Sequence, residues 1–471
     1  MQLKQLLVTI LFLLWAITCQ AGQVSTCKDI SYKPTDISTS KITFEFDKSY
    51  PCGQFINGDW WVSSNKKGPV IIRSITPEYH DGMNGYEITP VSSKEQSFDS
   101  RMESFISPAD KKFPIEINAP VHIIKSISVE NTDKKCRPCL EYAAILTILN
   151  EPLKNSHLYF RPGYFGQQNA FYHIDEANPK YLVEIPSTLG IGVRRMSDIQ
   201  MASRYKNLQL DHIEGWVGRP LHPAKNMPNY GADIARDNAV VLLRMMMDDF
   251  DYNNPVHFAI YVGYLQMSLD LASMAKGGVK WPANGGHGNG RKLPILFASY
   301  IFEDESFKLA MKKNQFSEDL QLYRSSTTEM ALFGRLCDEK VYWQRVFSGK
   351  GARDCRDPYQ YIDGGGAEVG QAYQSCCTSN PWKYTALVLE ILGMKEQWSN
   401  QAFFEYVHRW VNYGTWASPD PCKIPATMPT DDVIECIKGR GRYAESHGIN
   451  KDSGGFKSPL GDKIWAWWNK E

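Results

Sequence analysis

Hydrophobic and polar residues alternate through the first part of the chain, from about residue 41 to residue 130. The run Ile42–Phe46 alternates strictly, and short apolar runs at Trp60–Val62, Val70–Ile75 and Tyr86–Ile88 are separated by Asn-Gly, Gly-Pro and Thr-Pro pairs. A period of two with turn residues between the runs is typical of β-strands. The pattern therefore predicts a β-rich N-terminal domain over residues 22–135.

After these runs the pattern changes to one that favours helices. Tyr142–Leu149 is predicted as the first helix, and Val256–Ala275, Trp382–Leu392 and Gln401–Tyr413 each follow an Asn or Ser and stop at a Gly. Asn or Ser caps the first turn of a helix, and Gly suits the position after its last turn. Because short loops between helices make antiparallel pairs, we predict a mainly α fold in which residues 136–471 form an α/α toroid. An irregular helical bundle is the alternative.

The first 21 residues are typical of a secretory signal peptide. Lys4 supplies the positive start, Leu6–Ile17 the apolar core and Ala21 a small residue at the cleavage edge. The apolar run is too short to span a bilayer, so we expect a secreted chain, extracellular or periplasmic, with no membrane partner. Lys and Arg total 52, as do Asp and Glu, and this balance gives no basic face for nucleic acid. A monomer is the simplest expectation.

An even number of cysteines remains once the cysteine of the signal region is removed. An exported protein can use them in disulfides. The spacing Cys136–Cys139 occurs without a second such pair, which favours a local disulfide or separate disulfides over a zinc or redox site. The adjacent Cys376 and Cys377 are expected to pair with other cysteines, and Cys422–Cys436 would close a C-terminal loop.

The most distinctive stretch is WPANGGHGNGRKLPILFASY, residues 281–300. A loop with four glycines precedes a helix in which Pro294 suits the first turn. Because glycine has no Cβ, such a backbone turns sharply and lets a ligand approach closely. His287 and Arg291 would then face one ligand with Asn284 beside them, and the planar fork of Arg suits a carboxylate. A flexible surface loop is the alternative interpretation.

Further candidates lie on predicted helices. His257 lies near the start of Val256–Ala275, where a hydrogen-bonded core histidine is the competing interpretation. Tyr342 and Arg345 lie on a helix predicted over Met330–Phe347. A neighbouring Arg lowers the pKa of a phenol and makes the phenolate a usable base, although packing between helices would explain the same residues.

The β-rich part offers residues for the rim of a cleft. Asn57 and Trp60 belong to the segment NGDWW, and Arg101 follows later. A hairpin turn followed by a strand explains the first two equally well. The acid pairs Glu318-Asp319 and Glu303-Asp304 would suit a glycosidase, which needs two carboxyls flanking the bond, although solvated helix faces are the simpler interpretation.

Four segments resemble those of secreted proteins related to polysaccharide lyases, in particular lyase family 38, whose members cleave glucuronan or alginate. The segments are NGDWW, WPANGGHGNGRKLPILFAS, YQSCCTSNPW and AFFEYVHRWV. The resemblance covers most of the mature chain and implies an α/α toroid preceded by a smaller β-rich part. It also implies that a His and a Tyr carry the reaction. By pattern His287 matches the His and Tyr342 the Tyr, with Tyr300 as the competing tyrosine.

The function implied by this resemblance is cleavage of a uronic-acid polymer by β-elimination. That reaction needs the substrate carboxylate neutralised, a base and an acid, and it requires no metal or cofactor. His287 and Tyr342 would move protons, and Arg291 and Asn284 would hold the carboxylate of an acidic polysaccharide. Two alternatives stay open: a glycoside hydrolase that uses carboxyls such as Glu318, and a protein that binds an acidic polysaccharide without cleaving it.

Overall fold

The computed structural model describes residues 24–34, 40–108, 112–130, 136–166, 170–179, 182–193, 196–326, 329–334, 356, 363, 373–414 and 458–470. The predicted signal peptide over residues 1–21 and the predicted Cys422–Cys436 loop lie outside these ranges. Tyr342 and Arg345 lie outside them as well.

An eight-stranded sheet that curls into a half-barrel forms the N-terminal part, so the predicted β-rich character of this part is confirmed. Its strands are β1 (Ser25–Tyr32), β2 (Ile42–Gln54), β3 (Trp60–Ser63), β4 (Val70–Thr76), β5 (Tyr86–Ile88), β6 (Ile115–Ile117), β7 (Val121–Ser128) and β8 (Leu140–Leu149). Their order is β5-β7-β8-β3-β2-β4-β6, with β1 paired to β2. β3 and β8 run parallel, and the other neighbours are antiparallel. The sheet therefore continues past residue 135 to Leu149.

Both faces of β8 are buried. Leu146 and Ile148 pack in the core of the curled sheet, whereas Ala143 and Ile145 pack in the core shared with the helices. A strand buried on both faces carries a continuous apolar run instead of an alternating one, and periodicity alone cannot distinguish such a run from a buried helix. The helix predicted over Tyr142–Leu149 is therefore wrong.

The α-helices of the described chain follow the sheet. They are α1 (Asp198–Lys206), α2 (Gly218–Leu221), α3 (Gly231–Met245), α4 (Pro255–Lys276), α5 (Lys292–Ile301), α6 (Glu305–Lys313), α7 (Ser317–Leu320), α8 (Ser379–Ile391), α9 (Ala402–Tyr413) and α10 (Pro459–Trp468). Strands Leu322–Arg324 (β9) and Ala331–Phe333 (β10) form a small separate sheet. Within the described ranges, no helix is both long and apolar enough to cross a bilayer.

The ends of several helices follow their predicted signals. The side chain of Asn254 accepts a hydrogen bond from the backbone N–H of Val256 at 2.9 Å, and Gly277 follows the last residue of α4. Such a cap satisfies an N–H that the helix itself leaves without a partner. The helices predicted over Val256–Ala275, Trp382–Leu392 and Gln401–Tyr413 are confirmed, with small shifts at their ends.

The predicted α/α toroid is wrong. α1 packs on α4, α4 on α5 and α5 on α6, while α3 packs on α8. In the described part of the chain, these contacts form no toroid of helical hairpins. Caps and glycine stops determine where single helices begin and end, but the arrangement of helices depends on contacts between distant side chains. The strand β10 also replaces the start of the helix predicted over Met330–Phe347.

A buried charge cluster joins the sheet to the helices. The Arg161 guanidinium donates to the Asp270 carboxylate of α4 at 2.6 and 3.0 Å and to Asp59, just before β3, at 2.7 Å. Two carboxylates share one cation here, so burial and the second negative charge outweigh Arg161 and raise the pKa of Asp270 to about 6. The cluster fixes the start of β3 relative to α4.

Three disulfides lie within the described residues, and one of them corrects a prediction. Cys27–Cys52 joins β1 to β2, and Cys136–Cys139 is the local disulfide predicted from its spacing. Cys376 and Cys377 are bonded to each other, so the prediction that they pair elsewhere is wrong. The bond lies in the turn that precedes α8.

Candidate functional site

The glycine-rich stretch forms a packed loop between α4 and α5. Asn284–Gly286 makes one 3-10 turn, in which the backbone φ is positive at all three residues and reaches 90° at Gly286. A Cβ placed on Gly286 would lie 2.7 Å from the Tyr230 hydroxyl and 2.8 Å from the carbonyl oxygen of Cys377. Both the positive φ and the close contacts require glycine at this position. The loop is therefore held by its neighbours instead of lying free on the surface.

The buried side chain of Arg291 anchors this loop to Asp211. It is 1% exposed, and its Nε and Nη2 donate to the Asp211 carboxylate at 2.5 and 2.9 Å. Its Nη1 donates to the carbonyl oxygens of His287 and Asn289, each at 2.6 Å. The fork that the sequence assigned to a substrate carboxylate is thus occupied by Asp211, and Arg291 fixes the backbone of His287.

Asp211 is also hydrogen-bonded to a second buried side chain, His222, at 3.2 Å. Burial alone would raise the pKa of Asp211, but the Arg291 charge and the His222 hydrogen bond lower it to about 2. Burial also lowers the pKa of His222. At neutral pH the loop is therefore anchored by an ionised Asp211–Arg291 pair, and the neutral imidazole of His222 lies beside that pair.

His287 lies between two aromatic rings. Its ring meets Trp216 edge to face at a centroid distance of 4.4 Å and Tyr230 at 4.9 Å. Its Nδ1 is buried and has no hydrogen-bond partner within the described ranges. Burial, followed by the charges of Arg219 and Arg291, lowers the pKa of His287 to about 3. The imidazole is therefore neutral at pH 7 and can accept a proton.

Three N–H donors that line the same cleft lack acceptors. Arg219 Nε, Trp281 Nε1 and Asn284 Nδ2 are all buried, and none has a hydrogen-bond partner among the described residues. Buried donors are nearly always satisfied in folded proteins, so each exception needs an explanation. A ligand that is rich in acceptors would satisfy all three.

Two arginines bring positive charge near His287, Arg219 in the lining of the cleft and Arg137 beside it. The Arg219 guanidinium lies over the Tyr230 ring at 5.3 Å, and that of Arg137 lies over the Trp216 ring at 4.9 Å. No carboxylate of the described chain forms an ion pair with either arginine. The disulfide Cys136–Cys139 closes the short segment that carries Arg137. An aromatic face attracts a cation but does not neutralise its charge, so both guanidiniums can still bind an anion.

Tyr230 packs against the His287 ring, as Trp216 does. Its hydroxyl donates to the carbonyl oxygen of Gly285 at 2.8 Å. Burial raises the pKa of Tyr230, and the opposing effect of Arg219 is smaller. The phenol thus keeps its proton at neutral pH and can act as an acid next to the neutral His287.

The residues that surround His287 were not predicted from the sequence. They come from residues 211–230, where no periodicity distinguishes them, and they are Asp211, Trp216, Arg219, His222 and Tyr230. Composition alone could have identified most of them, because the short segment DHIEGWVGRPLH contains two His, an Arg and a Trp.

The cleft is narrow and contains little acid. About 20 Å³ of space remains between its side chains, which is room for about one water. Asp211 is the only acidic residue among its described lining residues. Glu318 lies behind the loop, where it accepts a hydrogen bond from the Gly290 N–H at 2.7 Å and burial raises its pKa to about 7. Asp319 pairs with Lys292 at 2.6 Å.

The three candidates from the β-rich part do not line this cleft. Asn57 donates to Asp59 at 2.7 Å in the turn before β3. Trp60 begins β3. Arg101 pairs with Asp99 through Nε at 2.9 Å and Nη2 at 2.7 Å. Asn57 and Arg101 stabilise the turns in which they lie.

Two candidates on the described helices also lie elsewhere. His257 accepts a hydrogen bond from the Asp251 N–H at 3.0 Å through Nδ1, so its Nε2 carries the proton and donates to Asp198 at 3.1 Å. This is the hydrogen-bonded core histidine that the sequence left as the competing interpretation. Tyr300 is partly buried and packs against the helical core. The roles of Tyr342 and Arg345 stay predictions.

The described side chains form no cluster of three or more His, Cys, Asp or Glu that would hold a metal ion. No protein-family model, curated protein or solved structure matches the chain. The resemblance to lyase family 38 therefore stays a prediction.

Proposed function

We propose that the cleft around His287 binds a uronic-acid polymer and breaks it by β-elimination. The observation that carries this proposal is the set of three buried donors without acceptors, Arg219 Nε, Trp281 Nε1 and Asn284 Nδ2, beside a neutral imidazole. A carboxylate offers two oxygens with about four acceptor sites. It would satisfy these donors and bring a negative charge close to Arg219 and Arg137, which have no ion-pair partner in the described chain.

The reaction needs a base, an acid and a neutralised carboxylate. In our proposal, Arg219 and Asn284 bind the carboxylate, which makes the proton on the neighbouring carbon more acidic. His287 accepts that proton and becomes an imidazolium. The electron pair of the C–H bond forms the new carbon–carbon double bond, and the bond to the glycosidic oxygen breaks. Tyr230 donates its phenol proton to the leaving oxygen, and transfer of a proton from His287 to Tyr230 restores the starting state.

The low pKa of free His287 fits this sequence of steps. A pKa of about 3 keeps the imidazole neutral but makes it a weak base. Burial is the main cause of the low pKa of His287, and the charge of Arg219 is the next. A bound carboxylate would offset the charge of Arg219 and so raise the pKa of His287. The substrate would therefore strengthen the base only when it is in place.

A glycoside hydrolase is less well supported. It would need two carboxyls on either side of the scissile bond. Asp211 is committed to Arg291 and His222, and Glu318 lies behind the loop on the Gly290 N–H. The N–H donors of the cleft suit binding of an anion, whereas a hydrolase needs a carboxylic acid that protonates the glycosidic oxygen.

Substrate entry requires some movement, because the cleft leaves room for about one water. Trp216, whose ring contacts that of His287, is 42% exposed. Outward rotation of Trp216 would open the cleft and offer the indole face for stacking on a sugar ring.

The test is the mass of the products. The protein is incubated with glucuronan, polymannuronate, polyguluronate and pectate, and the oligosaccharides are analysed by mass spectrometry. β-Elimination predicts unsaturated products, each lighter by one water than the product of hydrolysis. Saturated products would establish hydrolysis, and an unchanged polymer that nevertheless binds would establish a binding protein.

A pair of tyrosine variants tests the assignment of the acid. Tyr230→Phe should abolish turnover while the protein stays folded, because the substitution removes only the hydroxyl. Tyr342→Phe is the matched variant at the tyrosine predicted by resemblance. Loss of activity in Tyr342→Phe alone would move the acid role away from Tyr230.

A further inference from the structure

A second concave site lies at the end of the sheet, away from His287. It is a groove of about 810 Å³ between the ends of β7 and β8 and the segment that follows β8. Its volume lies within the range of about 300–1,000 Å³ that is usual for ligand sites. None of its lining residues also lines the His287 cleft.

The groove exists because the helices stop covering one face of the sheet. Ile124 and Ile145 are cross-strand partners nearby on that face, and both pack in the core shared with the helices. His122 and Thr147 are also cross-strand partners, and each lies two residues from Ile124 or Ile145 on the same face of the sheet. Both line the groove. The face thus changes from apolar to polar where the helical cover ends.

The floor of the groove is polar but uncharged. His122 Nδ1 and Thr147 Oγ1 are hydrogen-bonded at 3.0 Å. Burial, followed by the charge of Arg161, lowers the pKa of His122 to about 3, so the imidazole is neutral at pH 7. At the rim, Lys66 and Glu151 form an ion pair and offset each other.

The walls are apolar and rigid. Four prolines line the groove together with Leu153 and Phe171. Phe171 stacks on Phe55 at a centroid distance of 6.3 Å, which fixes the orientation of its ring. Rigid apolar walls lose little conformational entropy when a ligand binds.

We propose that this groove binds a neutral saccharide. Each sugar hydroxyl both donates and accepts a hydrogen bond, as the neutral His122–Thr147 pair does, and the C–H face of a sugar ring suits walls of proline and phenylalanine. An acidic sugar would find no unpaired cation among the described lining residues. The groove therefore differs in ligand class from the His287 cleft, where arginines without partners favour an anion.

The test is calorimetric titration of the mature chain with cellohexaose, maltohexaose, xylohexaose and mannohexaose, with hexaglucuronate as the acidic comparison. At least one neutral hexasaccharide should bind, and Thr147→Val should weaken its binding about tenfold, as expected for one lost buried hydrogen bond. Thr385→Val is the matched control, because Thr385 is a buried threonine of α8 whose hydroxyl has no partner in the described chain. The control should bind like the wild type.

Phe171→Ala gives a second measurement at the wall if Thr147→Val does not fold, and it should also weaken binding. Absence of binding by all four neutral sugars at millimolar concentration would overturn the proposal. Equal binding by wild type and Thr147→Val would do so too. Stronger binding of hexaglucuronate that Thr147→Val abolishes would show that the groove takes the acidic class instead.

Discussion

The buried pair Asp211–Arg291 makes the most specific prediction about the site. Substitution Asp211→Asn keeps the size of the side chain but removes its charge. Arg291 would keep its contacts with the carbonyl oxygens of His287 and Asn289, while its charge would lose the only carboxylate that neutralises it in the described chain. His222 would lose its charged partner at the same time.

The expected cost follows from burial. The side chains of Arg291 and Asp211 are 1% and 7% exposed, so solvent cannot replace the lost carboxylate. Removal of one partner from a buried ion pair costs about 3–5 kcal/mol, out of a total unfolding free energy of about 5–15 kcal/mol. We therefore expect Asp211→Asn to lower the unfolding free energy by about 4 kcal/mol.

The pH dependence supplies an independent check. The pKa of Asp211 is about 2 in the folded chain and about 3.9 in an unfolded chain. Because the folded pKa is the lower one, the contribution of Asp211 is fully present above about pH 4 and is lost as the pH falls towards 2. The difference between wild type and Asp211→Asn should therefore shrink as the pH falls through this window.

The assay is urea unfolding followed by tryptophan fluorescence and by circular dichroism. Asp233→Asn is the matched control. Asp233 is 39% exposed, and when its ion pair with Arg236 is lost, Arg236 is still paired with Asp237. An exposed pair contributes about 0.2–1 kcal/mol. Equal unfolding free energies for Asp211→Asn and Asp233→Asn would refute the view that Asp211–Arg291 holds the loop.

Two further predictions concern the packed loop and the charge cluster at the sheet. Gly286→Ala should destabilise the protein by about 2 kcal/mol or more in urea unfolding, because the added Cβ meets Tyr230 and the Cys377 carbonyl at a positive φ; a wild-type midpoint would contradict the close packing. Asp270→Asn should flatten the pH dependence of the melting temperature. The pKa of Asp270 is raised to about 6 in the folded chain, above its unfolded value of about 3.9, so stability falls as the pH rises from about 4 to 6 in the wild type. An unchanged slope in Asp270→Asn would remove this carboxyl as the cause.

The local features of the fold were predictable from the sequence. An Asn cap, an early Pro and a terminal Gly act within one helical turn, so α4 was identified almost to its ends. Strand β8 was not, because its two buried faces erase the alternation that marks a strand. The arrangement of the helices also escaped prediction, since it depends on contacts that no local signal records.

The site divides in the same way. His287 could be selected as a candidate because the glycines on both sides of it indicate that a ligand can approach the backbone closely. The partner of Arg291 could not, because Asp211 lies 80 residues earlier in the chain, and without it the arginine looked free for a substrate. Arg219 lies in the short helix α2 and Tyr230 directly before α3, and only the fold brings them to His287.

The most direct test of β-elimination at His287 is the rate at which ultraviolet absorbance increases on a uronate polymer. Wild type, His287→Ala and His408→Ala are compared on glucuronan, polymannuronate, polyguluronate and pectate. His408 is a half-buried histidine of α9 paired with Glu390, and it serves as the matched control. The prediction is that wild type and His408→Ala produce the unsaturated chromophore from at least one polymer and that His287→Ala does not. An undiminished rate in folded His287→Ala protein would contradict it.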